Sequence, residues 1–309
     1  MSKKTKIQLN TKKNYLVLLI ILVIIFIILL YISRVEKFTS STIKQSRHKI
    51  ALCFLINNSI NHEELWYNYL KIVDPNKYNI YIHYKENKPL KYFEKYKLPN
   101  TIETCWGCLS IVLAQNLLLK KALDDTDNHH FVWLSESCIP IKSFQYLQNY
   151  LDTDKSYFNI APDNQVFPRA NPVLEYISKD NIKKAAMPAI INRKHAELFV
   201  NNETNIQLWF TNVPNVDEIV YITLLHHFGL QNELVLTPNL SANAIIFTGW
   251  PVMSNYKLFV DSKLTKTSPN EYDDICNAEL DYLIHSKSLF ARKFNKNCKG
   301  LTGLLEKIN

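Results

Sequence analysis

The sequence predicts an α/β domain built on a mostly parallel, twisted sheet and preceded by one membrane-spanning helix. Two observations predict it. Short apolar runs alternate with amphipathic stretches long enough to be helices, and a single charge-free apolar run stands near the amino terminus. With 47% apolar residues and only five Gly and twelve Pro in 309, the chain can bury a large core, which excludes low-complexity disorder and collagen-like repetition.

Residues 1–14 form a basic tail holding Lys3, Lys4, Lys6, Lys12 and Lys13 and no acid. The formal net charge is +8, and setting these five lysines aside leaves 31 basic against 28 acidic residues. A near-neutral body argues against nucleic acid as a partner, which needs a basic face on the folded domain. Residues 15–32, YLVLLIILVIIFIILLYI, carry no charge and span about 27 Å as a helix. Ser33, Arg34, Val35, Glu36 and Lys37 follow directly, without a small-residue cleavage site. The run therefore reads as an uncleaved signal anchor. The excess of lysines ahead of it keeps the amino terminus cytoplasmic, giving a single-pass type II topology. Residues 33–47 are polar and read as a stem.

The body, residues 48–309, is long enough for one large domain. KIALCFLIN (49–57), YNIYIHY (78–84) and HFVWLS (130–135) read as strands, and 63–73, 110–123 and 144–151 as helices between and after them. Ligands bind beyond the carboxyl ends of such strands, which directs attention to Asn57 and Asn58, to residues 83–85, and to residues 135–138. No glycine-rich phosphate loop follows any of these strands. A single anchored α/β domain of this kind suggests a Golgi-style sugar-nucleotide enzyme.

Six cysteines, Cys53, Cys105, Cys108, Cys138, Cys276 and Cys298, are even in number, which allows full pairing beyond the membrane without fixing its pattern. The single C-x-x-C at 105–108 lacks further ligands for zinc. Asn57, Asn202 and Asn239 each open an N-x-S/T triplet. Two D-x-D spacings, Asp125/Asp127 and Asp152/Asp154, precede strands, which places them at the sheet edge opposite the ligand side. Beyond the strand where a metal-binding pair would be useful stands Glu136 alone, between Ser135 and Ser137. No metal or other cofactor is expected, and positive side chains must then neutralise a departing diphosphate.

FVWLSESCIPIKSFQYL (131–147) closely resembles a signature of the core-2/I-branching glycosyltransferases, family 14, particularly its plant-type members. In order along the body, CWGCLSIVLAQNLLLKKAL (105–123), INRKHAELF (191–199) and SLFARKF (288–294) are similar to further segments of that family. The resemblance implies a GT-A-like single catalytic domain and β-1,6 transfer of N-acetylglucosamine, with xylosyl and glucuronosyl transfer as alternatives. The donor is a UDP-sugar and the acceptor a glycan or glycoprotein.

The resemblance places the catalytic base of an inverting reaction on Glu218, in VPNVDEIVYITLL (213–225). Pro214 and Asn215 are able to start a helix whose first turn holds Glu218, where free N–H groups favour a carboxylate. It also places the nucleotide-diphosphate cation on Lys293, with Arg292 beside it. Glu136 is read as a donor-sugar contact at the end of a central strand. His83 stands in His83-Tyr84-Lys85 where the family has H-x-D at its nucleotide strand. A second upstream cation has no clear counterpart among Lys263, Lys266 and Lys287. Trp106 and Trp250 are aromatic candidates for stacking on a sugar or base, against the plainer reading as core. The rival from another class is a catalytically inactive, membrane-anchored carbohydrate-binding protein.

Overall fold

A computed structural model describes residues 23–34, 48–238, 244–249 and 269–309. The chain divides into two compact units, residues 1–48 and 49–309. In the first, residues 23–34 are helical with their apolar side chains exposed. Among the described residues no helix is long and apolar enough to cross a membrane. The anchor expected at 15–32 lies partly outside the described residues, as do all of the tail and most of the stem.

In the second unit the central sheet has six strands in the order β2-β1-β3-β6-β5-β7. These are β1 (Lys49–Ile56), β2 (Tyr78–Tyr84), β3 (Asn128–Ser135), β5 (Ser156–Ile160), β6 (Ala185–Asn192) and β7 (Leu234–Pro238). β1 pairs parallel with β2, from Ile50↔Tyr78 to Ile56↔Tyr84, and with β3, and β5 pairs parallel with β7. β6 alone runs antiparallel, between β3 and β5. The expected strands and helices of the first half recur within one to three residues at each end. The mostly parallel α/β architecture is therefore as the alternation of runs predicts.

β1 alternates its side chains between two cores, as a strand covered on both faces must. Ala51 and Cys53 join Phe131, Trp133, and the helices Leu109–Leu123, Arg193–Asn201 and Val220–His227 on one side. Ile50, Leu52 and Phe54 join Ile80, Val132, Leu134, and the helices Glu63–Leu70 and Phe144–Tyr150 on the other. Each such fully buried large side chain contributes about 1.5–3 kcal/mol of burial free energy. Trp66 locks the second core, donating from Nε1 to the Cys138 carbonyl at 2.9 Å while its ring lies edge-on to Phe54.

A small sheet continues the carboxyl end of the chain. β4 (Ile139–Pro140) pairs antiparallel and β8 (Ile246–Thr248) parallel with β10 (Phe290–Arg292). β9 (Tyr272–Asp274) and β11 (Phe294–Lys299) form a parallel pair beside it. Because β4 follows β3 after only three residues, this small sheet brings the end of β10 to the carboxyl edge of the central sheet.

The pairing that the even cysteine count allows is used only once. Cys105 and Cys108 form a disulfide within one turn, while Cys53, Cys138, Cys276 and Cys298 are free thiols. Cys53 and Cys138 are wholly buried in the sheet layers, held there by packing rather than by a partner sulfur.

Candidate active site

Topology gathers the candidate residues before any side chain is considered. Since β6 is antiparallel, its first residue, Ala185, faces Ile160 at the carboxyl end of β5. Lys184 therefore stands on the same edge as Ser135, at the end of β3, and as Tyr84, at the end of β2. Arg292 ends β10 and reaches this edge too, donating from Nη1 to the Met187 carbonyl of β6 at 2.8 Å.

Residues 135–138 make a tight turn. Cys138 N donates to Ser135 O at 3.2 Å, and the Ser135 hydroxyl lies 3.1 Å from that of Ser137. The backbone then ties this turn to the end of β10. Phe294 N donates to Ser137 O, Asn61 N donates to Glu136 O, and Asn61 Nδ2 donates to Phe294 O. Glu136 and Lys293 are thereby brought within electrostatic reach of each other. Lys293 is half-buried, and burial first, then the adjacent Arg292, pushes its ammonium below the usual lysine range against the pull of Glu271 and Glu136. Among the described residues no acceptor reaches the buried Arg292 Nε. Two adjacent, partly desolvated cations are costly unless an anion joins them.

Glu218 differs from expectation in its backbone. It ends a short 3-10 turn, Val216–Glu218, which is followed by Ile219 and then by the α-helix Val220–His227, so it precedes that helix rather than occupying its first turn. Asn215, left-handed at a φ of 50°, opens that turn, whose bonds run from Glu218 N to Asn215 O and from Ile219 N to Val216 O, three residues back rather than four. Glu218 is half-buried. Arg169 Nη1 lies 2.8 Å and Lys184 Nζ 3.4 Å from its Oε2. Both cations hold the same oxygen, and among the described residues no partner reaches Oε1. Burial and then the Glu218 charge push the neighbouring Asp217 carboxyl up to about 6, and Asp217 also feels Arg292. Carboxylates and cation pair thus form one electrostatic cluster.

Reasoning from sequence missed Arg169 and Lys184. Arg169 ends F-P-R in the long connection after β5, and Lys184 precedes a strand that alternation alone would run parallel; only the reversal of β6 puts it beside Glu218. Of the second cations considered, Lys263 and Lys266 lie outside the described residues. Lys287 is exposed ahead of β10, whereas Arg292 and Lys293 stand at its far end.

His83 does not present itself to a ligand. It is wholly buried, its Nε2 accepts from Ile102 N at 2.9 Å, and burial pushes its ring down to about 4. The proton then rests on Nδ1, so His83 is a neutral core histidine rather than an exposed nucleotide contact. Both D-x-D turns lie where expected, ahead of β3 and β5. Asp125 accepts from Lys49 Nζ, Asn79 Nδ2 and Asp127 N, and Asp152 accepts from Asp154 N through its Oδ1. Arg193 belongs to that opposite edge, with Nη1 donating to the carbonyls of Asp125 and Asn128 and Nη2 to that of Leu123.

An α/β domain with one carboxylate oriented by cations and a separate cation pair at the same carboxyl edge of the sheet has the makings of a group-transfer site for anionic leaving groups. Comparison makes this specific. The profile of the Core-2/I-Branching enzyme family matches residues 50–282, and the chain belongs to that family, which places it in the glycosyltransferase class. Glycosyltransferase BC10 of Oryza sativa subsp. japonica is 26% identical over 163 residues, 50% of this chain and 41% of that protein. The match thus spans less than half the length of that relative. Among solved structures, galactosyltransferase LgtC in complex with donor and acceptor sugar analogs aligns with a TM-score of 0.41 at 10% identity, over 79% of this chain and 87% of that one. A glycosyltransferase involved in the glycosylation of the major capsid of PBCV-1 aligns with a TM-score of 0.35 at 11% identity, over 83% and 97%.

Proposed function

We propose that the chain is a metal-independent, inverting glycosyltransferase of GT-A-like fold that moves a sugar from a UDP-sugar to a glycan or glycoprotein. N-acetylglucosamine in β-1,6 linkage is the favoured product, in line with the family resemblance. The observation that carries the reading is that the carboxyl edge of the sheet holds both Glu218, gripped by Arg169 and by Lys184 ahead of β6, and Arg292, bonded to the Met187 carbonyl of β6, with Lys293 next in the chain and Asp217 close to both Glu218 and Arg292.

In this reading Arg169 and Lys184 fix Glu218 through Oε2, and Oε1 accepts the proton of the acceptor hydroxyl as its oxygen attacks the sugar C1. The C1–O bond to the diphosphate breaks on the opposite face, and the leaving UDP keeps the electron pair. Arg292 and Lys293 compensate its growing charge, the role a metal serves elsewhere. Glu136, at the end of β3, accepts from donor-sugar hydroxyls. Attack from the face opposite the leaving group inverts the anomeric centre. Both D-x-D turns stand at the other edge of the sheet, which supports the metal-free reading. The charge-free run at 15–32 behind a basic tail supports a type II anchor in an endomembrane such as the Golgi, with residues 48–309 on the lumenal side.

The test is UDP release by the full-length chain, with a panel of UDP-sugars and acceptor glycans in excess EDTA. Release with one donor that survives EDTA is the expected result. UDP binding without turnover of any donor would move the chain to the carbohydrate-binding class, and loss of activity in EDTA would remove the metal-free mechanism.

A further inference from the structure

Trp106 is the most exposed large apolar side chain among the described residues, at 87%. The other tryptophans described in full are accounted for: Trp66 and Trp133 are core, and Trp209 stacks on Tyr176. The turn that carries Trp106 is, by contrast, closely built. Cys105 and Cys108 close it with a disulfide, Cys108 N donates to Cys105 O, and Cys105 N donates to the Ser110 hydroxyl at 3.1 Å. Gly107 adopts a φ of 73°, and a Cβ there would fall 2.5 Å from Asn215 Oδ1, so the backbone approaches residue 215 as closely as only glycine allows. Its carbonyl accepts from Asn215 N at 2.8 Å, and Asn215 O in turn accepts from Glu218 N at 3.2 Å. Two successive backbone hydrogen bonds therefore join the turn to the residue that carries the proposed base.

Neither the disulfide nor these hydrogen bonds need an indole at 106, since any side chain fits a position pointing into solvent. An exposed aromatic face on a turn tied by backbone hydrogen bonds to the segment of a carboxylate suits a pyranose, whose axial C–H bonds present an apolar face while its hydroxyls stay wet. The acceptor sugar must place a hydroxyl on Glu218 Oε1, so its ring has to lie beside this segment.

We propose that the turn 105–108 is an acceptor subsite in which Trp106 stacks on the apolar face of an acceptor pyranose. This rests on the transferase reading. The test uses the full-length chain with Trp106→Ala and Trp106→Phe and oligosaccharides containing galactose, N-acetylgalactosamine or N-acetylglucosamine. Trp106→Ala is expected to raise the acceptor KM about tenfold, while donor KM and acceptor-independent UDP release change by less than about twofold. Trp106→Phe, which keeps an aromatic face, is expected to stay within about threefold of the wild type. An unchanged acceptor KM in Trp106→Ala overturns the subsite, and so does an equal fall in acceptor-independent release, which marks a structural role. If the wild type turns over no donor, the transferase reading fails separately. Saturation-transfer NMR with the same oligosaccharides on wild type and Trp106→Ala then still decides whether the indole binds sugar.

Discussion

Asp125 and Glu218 stand at opposite edges of the same sheet, each a half-buried carboxylate beside cations. Asp125 spends both oxygens: Lys49 and Asn79 donate to Oδ2 and Asp127 N donates to Oδ1. Burial works against its charge, yet these three donors together hold its carboxyl below the usual range. Glu218 receives Arg169 and Lys184 on Oε2 alone. The first carboxylate is closed and ties strands together at the start of β1 and β3. The second is oriented and keeps one oxygen without a partner among the described residues, the one the proposed mechanism uses. Having a cation partner therefore does not separate the structural acid from the proposed base in this fold; what separates them is whether an oxygen is left over.

The sharpest way to break that distinction is to neutralise each acid in turn. Glu218→Gln is expected to lower transfer by about 10²–10⁴-fold, the usual worth of a general base, with a smaller change in the unfolding midpoint than Asp125→Asn, because relief of the repulsion with Asp217 offsets the charged acceptor that Arg169 and Lys184 lose. Asp125→Asn should do the reverse, costing about 1–3 kcal/mol of stability and leaving kcat within about twofold, since the donors at Oδ2 lose a charged acceptor. Steady-state UDP release and urea unfolding on both variants decide. A fully active Glu218→Gln enzyme would remove the mechanism, and a stable but inactive Asp125→Asn enzyme would remove the comparison.

Cations offer the next contrast. Lys293→Ala and Arg292→Ala each remove charge from the leaving-group end and are expected to lower kcat by about 10²–10³-fold, with weaker UDP binding in titration. Arg169→Gln and Lys184→Gln remove the cations on Glu218 Oε2, Lys184 also giving up its bond to Gln165 Oε1. We expect a loss of about ten- to a hundredfold in kcat with donor KM nearly unchanged, as for a group displaced by a fraction of an ångström. If Arg169→Gln instead raises the donor KM, Arg169 belongs with the diphosphate cations rather than with the base.

Much of the fold was legible because its signals are local. The strands around Phe54 and Val132 are continuous apolar runs, the helix at 109–123 has a long apolar face, and the turns holding Asp125 and Asp152 precede strands in plain order. Arg292, Lys293 and Glu218 were reached through motif resemblance and Glu136 through its place after a central strand, and the structure brings them to one edge. What was illegible depends on direction and distance. Lys184 joins the site only because β6 reverses, a fact of pairing that no run of residues states. Arg169 arrives from a connection without regular period. His83 was a nucleotide candidate through the family's H-x-D and could equally be a core histidine; its alternation turns it into the core beneath the 102 segment. Glu218 was placed one element too late, since a 3-10 turn opened by the left-handed Asn215 precedes the helix that Pro214 invites.

The smallest expected effect is in stability against pH, and it separates the two kinds of buried group by sign. His83 has a folded pKa near 4, against 6.5 for an ordinary histidine. Below pH 6.5 the unfolded chain therefore takes up a proton that the folded chain refuses, and stability falls as pH drops from 6.5 towards 4. The slope is at most about 1.4 kcal/mol per pH unit for one histidine. His62, His195 and His226 are shifted down by burial as well and add to the same limb. Asp217 acts oppositely: raised to about 6 from 3.8, it favours the folded state below 3.8 and loses that contribution as pH rises through 6. Between 4 and 6 the two trends partly cancel. His83→Gln, whose amide oxygen is able to accept from Ile102 N, should flatten the acid limb of urea midpoints measured from pH 4 to 7.5. Asp217→Asn should steepen it while raising stability at pH 7, at the cost of activity if the charge of Asp217 holds Arg292 in place. An acid limb unaltered by His83→Gln would show that the buried ring is not what the folded chain refuses to protonate.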